Sequence, residues 1–162
     1  MSHLFSCKPQ RELPTVAVLD IEKYAGTWHE IARLPNRFER GLTCVTAEYS
    51  LKENGKIRVK NKGFNADKNQ WKEATGTAWI PDSQFPGQLR VRFFWPFAGD
   101  YYVIYVDEAY RLALVGDPAR DYLWILSKDP NPEKERYDEL VSLAKKLGFA
   151  TENLAEVKRE CE

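Results

Sequence analysis

The sequence predicts an all-β domain, an eight-stranded up-and-down antiparallel β-barrel with one C-terminal α-helix packed outside it. Three observations carry that expectation. Short segments with an apolar residue at every second position follow one another through most of the chain, and they are joined by turn residues rather than long connections. One stretch after the last of them has apolar residues three and four apart, namely Tyr137, Leu140, Val141, Ala144 and Leu147. Two late segments, Asp100 to Val106 and Tyr122 to Ser127, are apolar on both faces, so their outer side needs a cover. A two-sheet sandwich would need a long crossover connection, and none is visible.

Residues 1–17, with Pro9 and Pro14 and no sustained period, read as an extended arm ahead of a single domain over 18–162. The amphipathic run Asp20 to Tyr24 leads to Gly26, where a glycine lets the backbone bend into the first strand, Gly26 to Leu34, with Trp28 turned inward as a plug. Pro35-Asn36 ends that strand, and a loop containing Arg37, Phe38, Arg40 and Gly41 runs to residue 43. In the second strand Val45, Ala47, Tyr49 and Leu51 share the inner phase, which places Cys44 outside. Asn54-Gly55 is a two-residue hairpin turn. It opens the third strand, Lys56 to Phe64, whose inner phase holds Ile57, Val59, Asn61 and Gly63.

Ala66 to Asn69 turn the chain into the fourth strand, Gln70 to Ile80, and Pro81 to Gly87 form a longer loop. The fifth strand sets Leu89, Val91 and Phe93 against Arg90 and Arg92. Trp95 to Gly99 lead to the sixth strand, Asp100 to Val106, in which Tyr101, Val103 and Tyr105 take the inner phase. The seventh strand is Arg111 to Gly116; the eighth, Tyr122 to Ser127, turns Trp124 and Leu126 inward. Asn131 and Pro132 suit the cap and first turn of a helix, Glu133 and Glu135 suit its positive end, and Gly148 suits its stop. Its stripe is expected to bury the outward Tyr102, Ile104, Leu123 and Ile125, before a short final strand at Asn153 to Val157.

Composition narrows the function. Lys plus Arg and Asp plus Glu are 24 each, so no net field favours a polyanion. Five Trp, eight Tyr and eight Phe supply large rigid side chains to line a site. Three cysteines without C-x-x-C spacing and two histidines argue against zinc, and one disulfide with one cysteine left over suits an exported protein. No apolar run approaches a transmembrane helix. Neither a metal nor another cofactor is expected.

Three separated motifs resemble the lipocalin family: Gly26-Thr27-Trp28, Asp100 to Asp107, and Trp124-Ile125-Leu126-Ser127-Lys128. The strings Trp28 to Arg33, Arg37-Phe38-Glu39-Arg40-Gly41 and Asp121 to Ser127 are similar to the bacterial outer-membrane lipoprotein and apolipoprotein D branch. The likeness covers residues 18–161. It implies that Gly26, Trp28, Asp100 and Lys128 are structural motif positions. Lys128 stands where the family has Arg, so it can lie over the Trp28 ring but cannot make a planar fork of hydrogen bonds. His29, where Tyr is commoner, reads as structural. By the same resemblance Cys44 pairs with Cys161. Cys7 is then left as a lipidation candidate, since Leu4-Phe5-Ser6-Cys7 looks like the end of a bacterial lipoprotein signal.

The inner phases give a wall of Val45, Ala47, Tyr49, Val59, Asn61, Leu89, Val91, Phe93, Tyr101, Val103, Tyr105, Trp124 and Leu126. Tyr49, Asn61, Tyr101 and Trp124 also match pocket-facing positions of the apolipoprotein D type. A mostly apolar wall with few polar groups predicts a small hydrophobic ligand, with a fatty acid or lysophospholipid as first choice and Arg37, Arg40 and Arg90 near the open end for an anionic head. The resemblance implies storage or transport at the bacterial cell envelope, as an outer-membrane lipoprotein facing the periplasm, or secreted if not lipidated. Catalysis is not expected. The alternatives are a lipid-modifying enzyme using a reduced, inward Cys44, and a filled barrel acting as an interaction module. Monomer and dimer both stay open.

Overall fold

The computed structural model describes residues 12–93 and 98–161. Cys7 and the segment Trp95 to Phe97 lie outside the described residues. A short helix, α1 (Ile21–Tyr24), is capped by Asp20, whose carboxylate accepts from the Lys23 amide at 3.2 Å. The strands follow: β1 (Gly26–Arg33), β2 (Leu42–Leu51), β3 (Ile57–Asn65), β4 (Gln70–Trp79), β5 (Gln88–Arg92), β6 (Ala98–Val106), β7 (Leu112–Gly116) and β8 (Leu123–Ser127). Each pairs antiparallel with its neighbour in sequence. The ring closes where β1 pairs with both β8 and β2, leaving no free edge along that seam. Gly26 has φ +112, the left-handed bend at the entry to β1 that only a glycine adopts easily.

The eight strands make a barrel and α2 (Lys134–Lys146) lies against its outside, as the doubly apolar strands require. An inner cluster holds Trp28, Val103, Val115 and Leu126. An outer one packs Ile104, Leu112, Leu114, Leu123 and Ile125 under Leu140 and Ala144 of the helix, with Phe149 beyond it. The helix starts later than expected. Asn131 and Pro132 lie in the preceding turn, and Glu133 takes the cap position without a side-chain hydrogen bond. Its end is as the glycine implies: Gly148 has φ +93, its amide donates to Lys145 O and that of Phe149 to Ala144 O, a pattern that satisfies the last carbonyls.

Bulges set which side chains reach the interior. Between Val103 and Tyr105 the β6–β7 register slips by one residue, so Ile104 is extra and the phase inverts. Tyr105 therefore packs with the outer cluster while Val106 packs with the inner one, which corrects the expectation that Tyr105 faces inward. A second bulge at Ile31 lets β1 keep Trp28 and Glu30 inside and then turn Ile31 and Ala32 toward the helix cluster.

Beyond His29, β2 leaves β1, and the short β9 (Ala155–Glu156) takes over that edge opposite Ala32 and Arg33. The Val157 amide donates to Ile31 O and the Cys44 amide to Lys158 O. Cys44, at φ +50 inside a β2 bulge, is joined to Cys161 across a sequence separation of 117, with Cα atoms 6.2 Å apart. The C-terminal tail thus laces the opening between β1 and β2. Cys44 carries no thiol in this form, which removes the nucleophile that the enzyme alternative requires.

Candidate ligand-binding site

The barrel encloses a cavity of about 650 Å³. Strand direction fixes its polarity: Gly26, Leu51, Ile57 and Trp79 lie at one end and Arg33, Leu42, Asn65 and Gln70 at the other. The first end is shut by Trp28, which is 0% exposed. Lys128 Nζ lies 5.1 Å from the centre of its ring and donates to Lys23 O at 2.7 Å, so the lysine covers the plug with one bond where an arginine could make several. Trp28 Nε1 donates to Tyr24 O at 2.8 Å. The mouth is framed by the β1–β2 loop and the turns after β3 and β7.

Eleven of the thirteen expected lining positions border the cavity: Val45, Ala47, Tyr49, Val59, Asn61, Leu89, Val91, Phe93, Tyr101, Trp124 and Leu126. Val103 is fully buried beneath it among the inner cluster, and Tyr105 is outside. Ile57, Gly63, Ala74 and Ala78 complete the apolar wall from β3 and β4. Gly76 makes room here, since a Cβ on it would come within 2.8 Å of Phe93 Cδ1 and 2.6 Å of Arg92 O.

On the floor three phenols form a chain: Tyr24 Oη lies 2.6 Å from Tyr101 Oη, which lies 2.8 Å from Tyr49 Oη. Burial raises all three above the ordinary phenol value, so they stay protonated. Nearer the mouth, Trp124 stacks on Tyr122 with ring centres 5.7 Å apart, and its Nε1 donates to Glu39 Oε1 at 2.8 Å. Asn36 Nδ2 reaches the same oxygen at 3.0 Å. Arg33 Nη1 bridges Glu30 Oε1 at 3.1 Å and Glu39 Oε2 at 3.4 Å, while its other nitrogen donates to the carbonyls of Glu39 and Leu42. Burial, and next the neighbouring Glu39 carboxylate, push the Glu30 carboxyl well above the usual range; Arg33 offsets only part of this. The wall therefore carries two carboxyl groups and one guanidinium in a hydrogen-bonded set, in which Glu30 holds a proton more tightly than a free carboxyl does.

Several expected roles move. Asp100, expected as a structural motif position, lies within β6 opposite Arg90, whose Nη1 donates to its carboxylate at 2.6 Å. The turn after β6 is locked by Asp107, which accepts from the Arg111 and Leu112 amides at 2.7 and 2.9 Å and from Arg136 at 3.1 Å. Of the three arginines expected near the open end, Arg90 borders the cavity in its pair with Asp100. Arg37 instead lies 5.8 Å over the Phe38 ring, and Arg40 is exposed. Tyr24, Glu30, Glu39 and Tyr122 were not among the expected lining set. Counting by twos from Trp28 reaches Glu30. Tyr24 carries no such signal, because α1 and the Gly26 bend separate it from any strand period. Among the described residues no group of three His, Cys, Asp or Glu could hold a metal.

A closed antiparallel barrel with a plugged floor, an open mouth and an apolar cavity defines a cup for a small hydrophobic molecule. The chain belongs to the lipocalin family: a lipocalin-like domain matches residues 19–159. It falls in the bacterial lipocalin and apolipoprotein D branch. It is 44% identical over 151 residues to the outer membrane lipoprotein Blc of Citrobacter freundii, covering 93% of this chain and 85% of the relative. Apolipoprotein D of Macaca fascicularis is 36% identical over 137 residues, covering 80% and 71%. Among solved structures, insecticyanin from the tobacco hornworm Manduca sexta superposes with TM-score 0.73 at 24% identity, covering 91% of this chain and 84% of its own. Lobster apocrustacyanin A1 gives TM-score 0.71 at 18% identity, covering 93% and 91%. These two show the shared fold.

Proposed function

We propose that this lipocalin stores or carries a single-chain lipid, a fatty acid or a lysophospholipid, at the bacterial cell envelope. The observation that carries the reading is the cavity itself. At about 650 Å³ it falls within the ~300–1,000 Å³ of small-molecule sites, and its lower wall is apolar while the ionic groups gather near the mouth. Each methylene buried against such a wall contributes ~0.8 kcal/mol, so an acyl chain supplies most of the affinity. Lys72, opposite the inward Gly63 near the mouth, borders the cavity and suits an anionic head. Relatives named outer membrane lipoproteins support the envelope location, with Cys7 as the residue a lipid anchor would modify.

Native mass spectrometry of the purified, untreated protein tests the reading. A stoichiometric fatty acid or lysophospholipid released by collision is the expected result. A clean mass that stays unchanged after incubation with both lipid classes overturns it and favours a barrel that works through its outer surface.

A further inference from the structure

The three tyrosines on the cavity floor hold one more hydrogen-bond donor than their own bonds use. Tyr24, Tyr101 and Tyr49 carry three phenolic protons, and the two links between them, 2.6 and 2.8 Å long, consume two. Among the described residues these hydroxyls have no further partner, so whichever way the links run, one O–H remains to donate elsewhere. All three rings border the cavity. Tyr24 and Tyr49 are 3% and 6% exposed, whereas Tyr101, the central member, is half-buried. A hydroxyl has two acceptor lone pairs, so Tyr101 can accept from both neighbours and aim its own proton into the cavity, polarised by the two bonds it receives.

We propose that the tyrosine chain is a floor subsite for a neutral carbonyl oxygen, so that the ligand is an oxygenated lipid entering carbonyl-first: a ketone, an ester or a protonated acid. This rests on the cavity binding a lipid, as read above, and turns the ligand round, with its carbonyl on the floor in place of a head at the mouth. A bare hydrocarbon end would leave the spare donor unmatched in an apolar site. An ionised carboxylate would be worse, because among the described residues no cation faces the floor: Trp28 separates it from Lys128, and Arg33 is committed to Glu30 and Glu39 near the mouth.

The test uses the intact protein and three probes of matched length: a long-chain methyl ketone labelled with carbon-13 at its carbonyl, the corresponding alkane, and the corresponding carboxylate. The readouts are the infrared carbonyl band of the bound ketone and the three dissociation constants. Expected is a band lowered from its position in a dry alkane, with the ketone preferred over the alkane. The comparison variant is Tyr24→Phe/Tyr49→Phe/Tyr101→Phe, which removes donors and acceptors together and so leaves no orphaned hydroxyl to unsettle the fold. In it the band returns to the free position and the ketone preference over the alkane falls about threefold to tenfold, the worth of one net hydrogen bond, while the alkane binds no more weakly, because no donor is left unmatched. A wild-type band at the free position, a lowered band that survives in the triple variant, or a carboxylate that outcompetes the ketone overturns the subsite while leaving lipid binding intact. Failure of all three probes to bind overturns both readings.

Discussion

Glu30 is the residue whose chemistry its neighbours change most visibly. Its side chain is buried in the cavity wall between Arg33 and Glu39, and burial with the adjacent Glu39 charge raises its affinity for a proton. A carboxyl with a raised folded value binds its proton more tightly in the native state than in the unfolded chain. It therefore contributes stability that is complete below the ordinary carboxylate range and is lost as pH rises through the raised folded value. Asp107 runs the other way: burial raises its carboxyl, but the Leu112 and Arg111 amides and Arg136 together outweigh that and hold it below the ordinary value, so its contribution is present above the carboxylate range and fades on acidification. Glu30→Gln keeps the shape and cannot ionise. In urea titrations from mildly acidic to mildly alkaline pH, the wild type should lose stability on the alkaline side while the variant stays flatter. Parallel pH slopes would mean that Glu30 is already ionised in the folded protein.

At the scale of elements, the sequence was readable wherever one face of a strand is wet. In β2 and β3 the alternation of apolar and polar residues placed Val45, Ala47, Tyr49, Val59 and even the amide of Asn61 on the cavity side, because a polar outer face reveals the phase. In β6 both faces are apolar, so alternation says nothing about inside and outside. The bulge at Ile104 is imposed by pairing with β7, and no local pattern announces it, so Tyr105 was misplaced. Tyr24 was missed for a related reason: a residue that enters the cavity from a helix has no strand period to count. The tail that laces β1 to β2 is likewise a long-range feature, legible only through the family resemblance that paired Cys44 with Cys161. Its weight can be measured. Cys161→Ser should lower the unfolding free energy by at most ~4–5 kcal/mol in the chain-entropy model, and the denaturant midpoint with it; reduced wild type should match it. If the variant instead unfolds at the oxidised wild-type midpoint, the pairing of β9 with β1 and the Val157–Ile31 bond hold the tail without the crosslink.

Across the whole molecule the barrel is lopsided. Every residue of β7 is buried, held between the inner cluster and the helix, whereas in β4 only Gly76 and Ala78 are buried and the outward face of β3 presents Arg58, Lys60 and Lys62 to water. Local opening is easiest where one face of a hydrogen-bonded ladder has no apolar cover, so β3 and β4 should exchange their amide protons faster than β7 and β8 in the empty protein. The same two strands line the cavity with Ile57, Val59, Asn61, Ala74 and Ala78, while β7 contributes no lining residue. A ligand therefore touches the weak flank directly and β7 not at all. If opening of β3–β4 requires release of the ligand, a lipid at a hundred times its dissociation constant slows exchange there by up to about a hundredfold, equivalent to ~2.7 kcal/mol. The protection should fade toward β7. Hydrogen exchange read strand by strand, with and without a lysophospholipid, checks this. Protection confined to β7 would place the ligand outside the cavity, against the helix-covered side. Uniform protection would mean that the barrel opens only as one unit, and that its exposed flank is no gate.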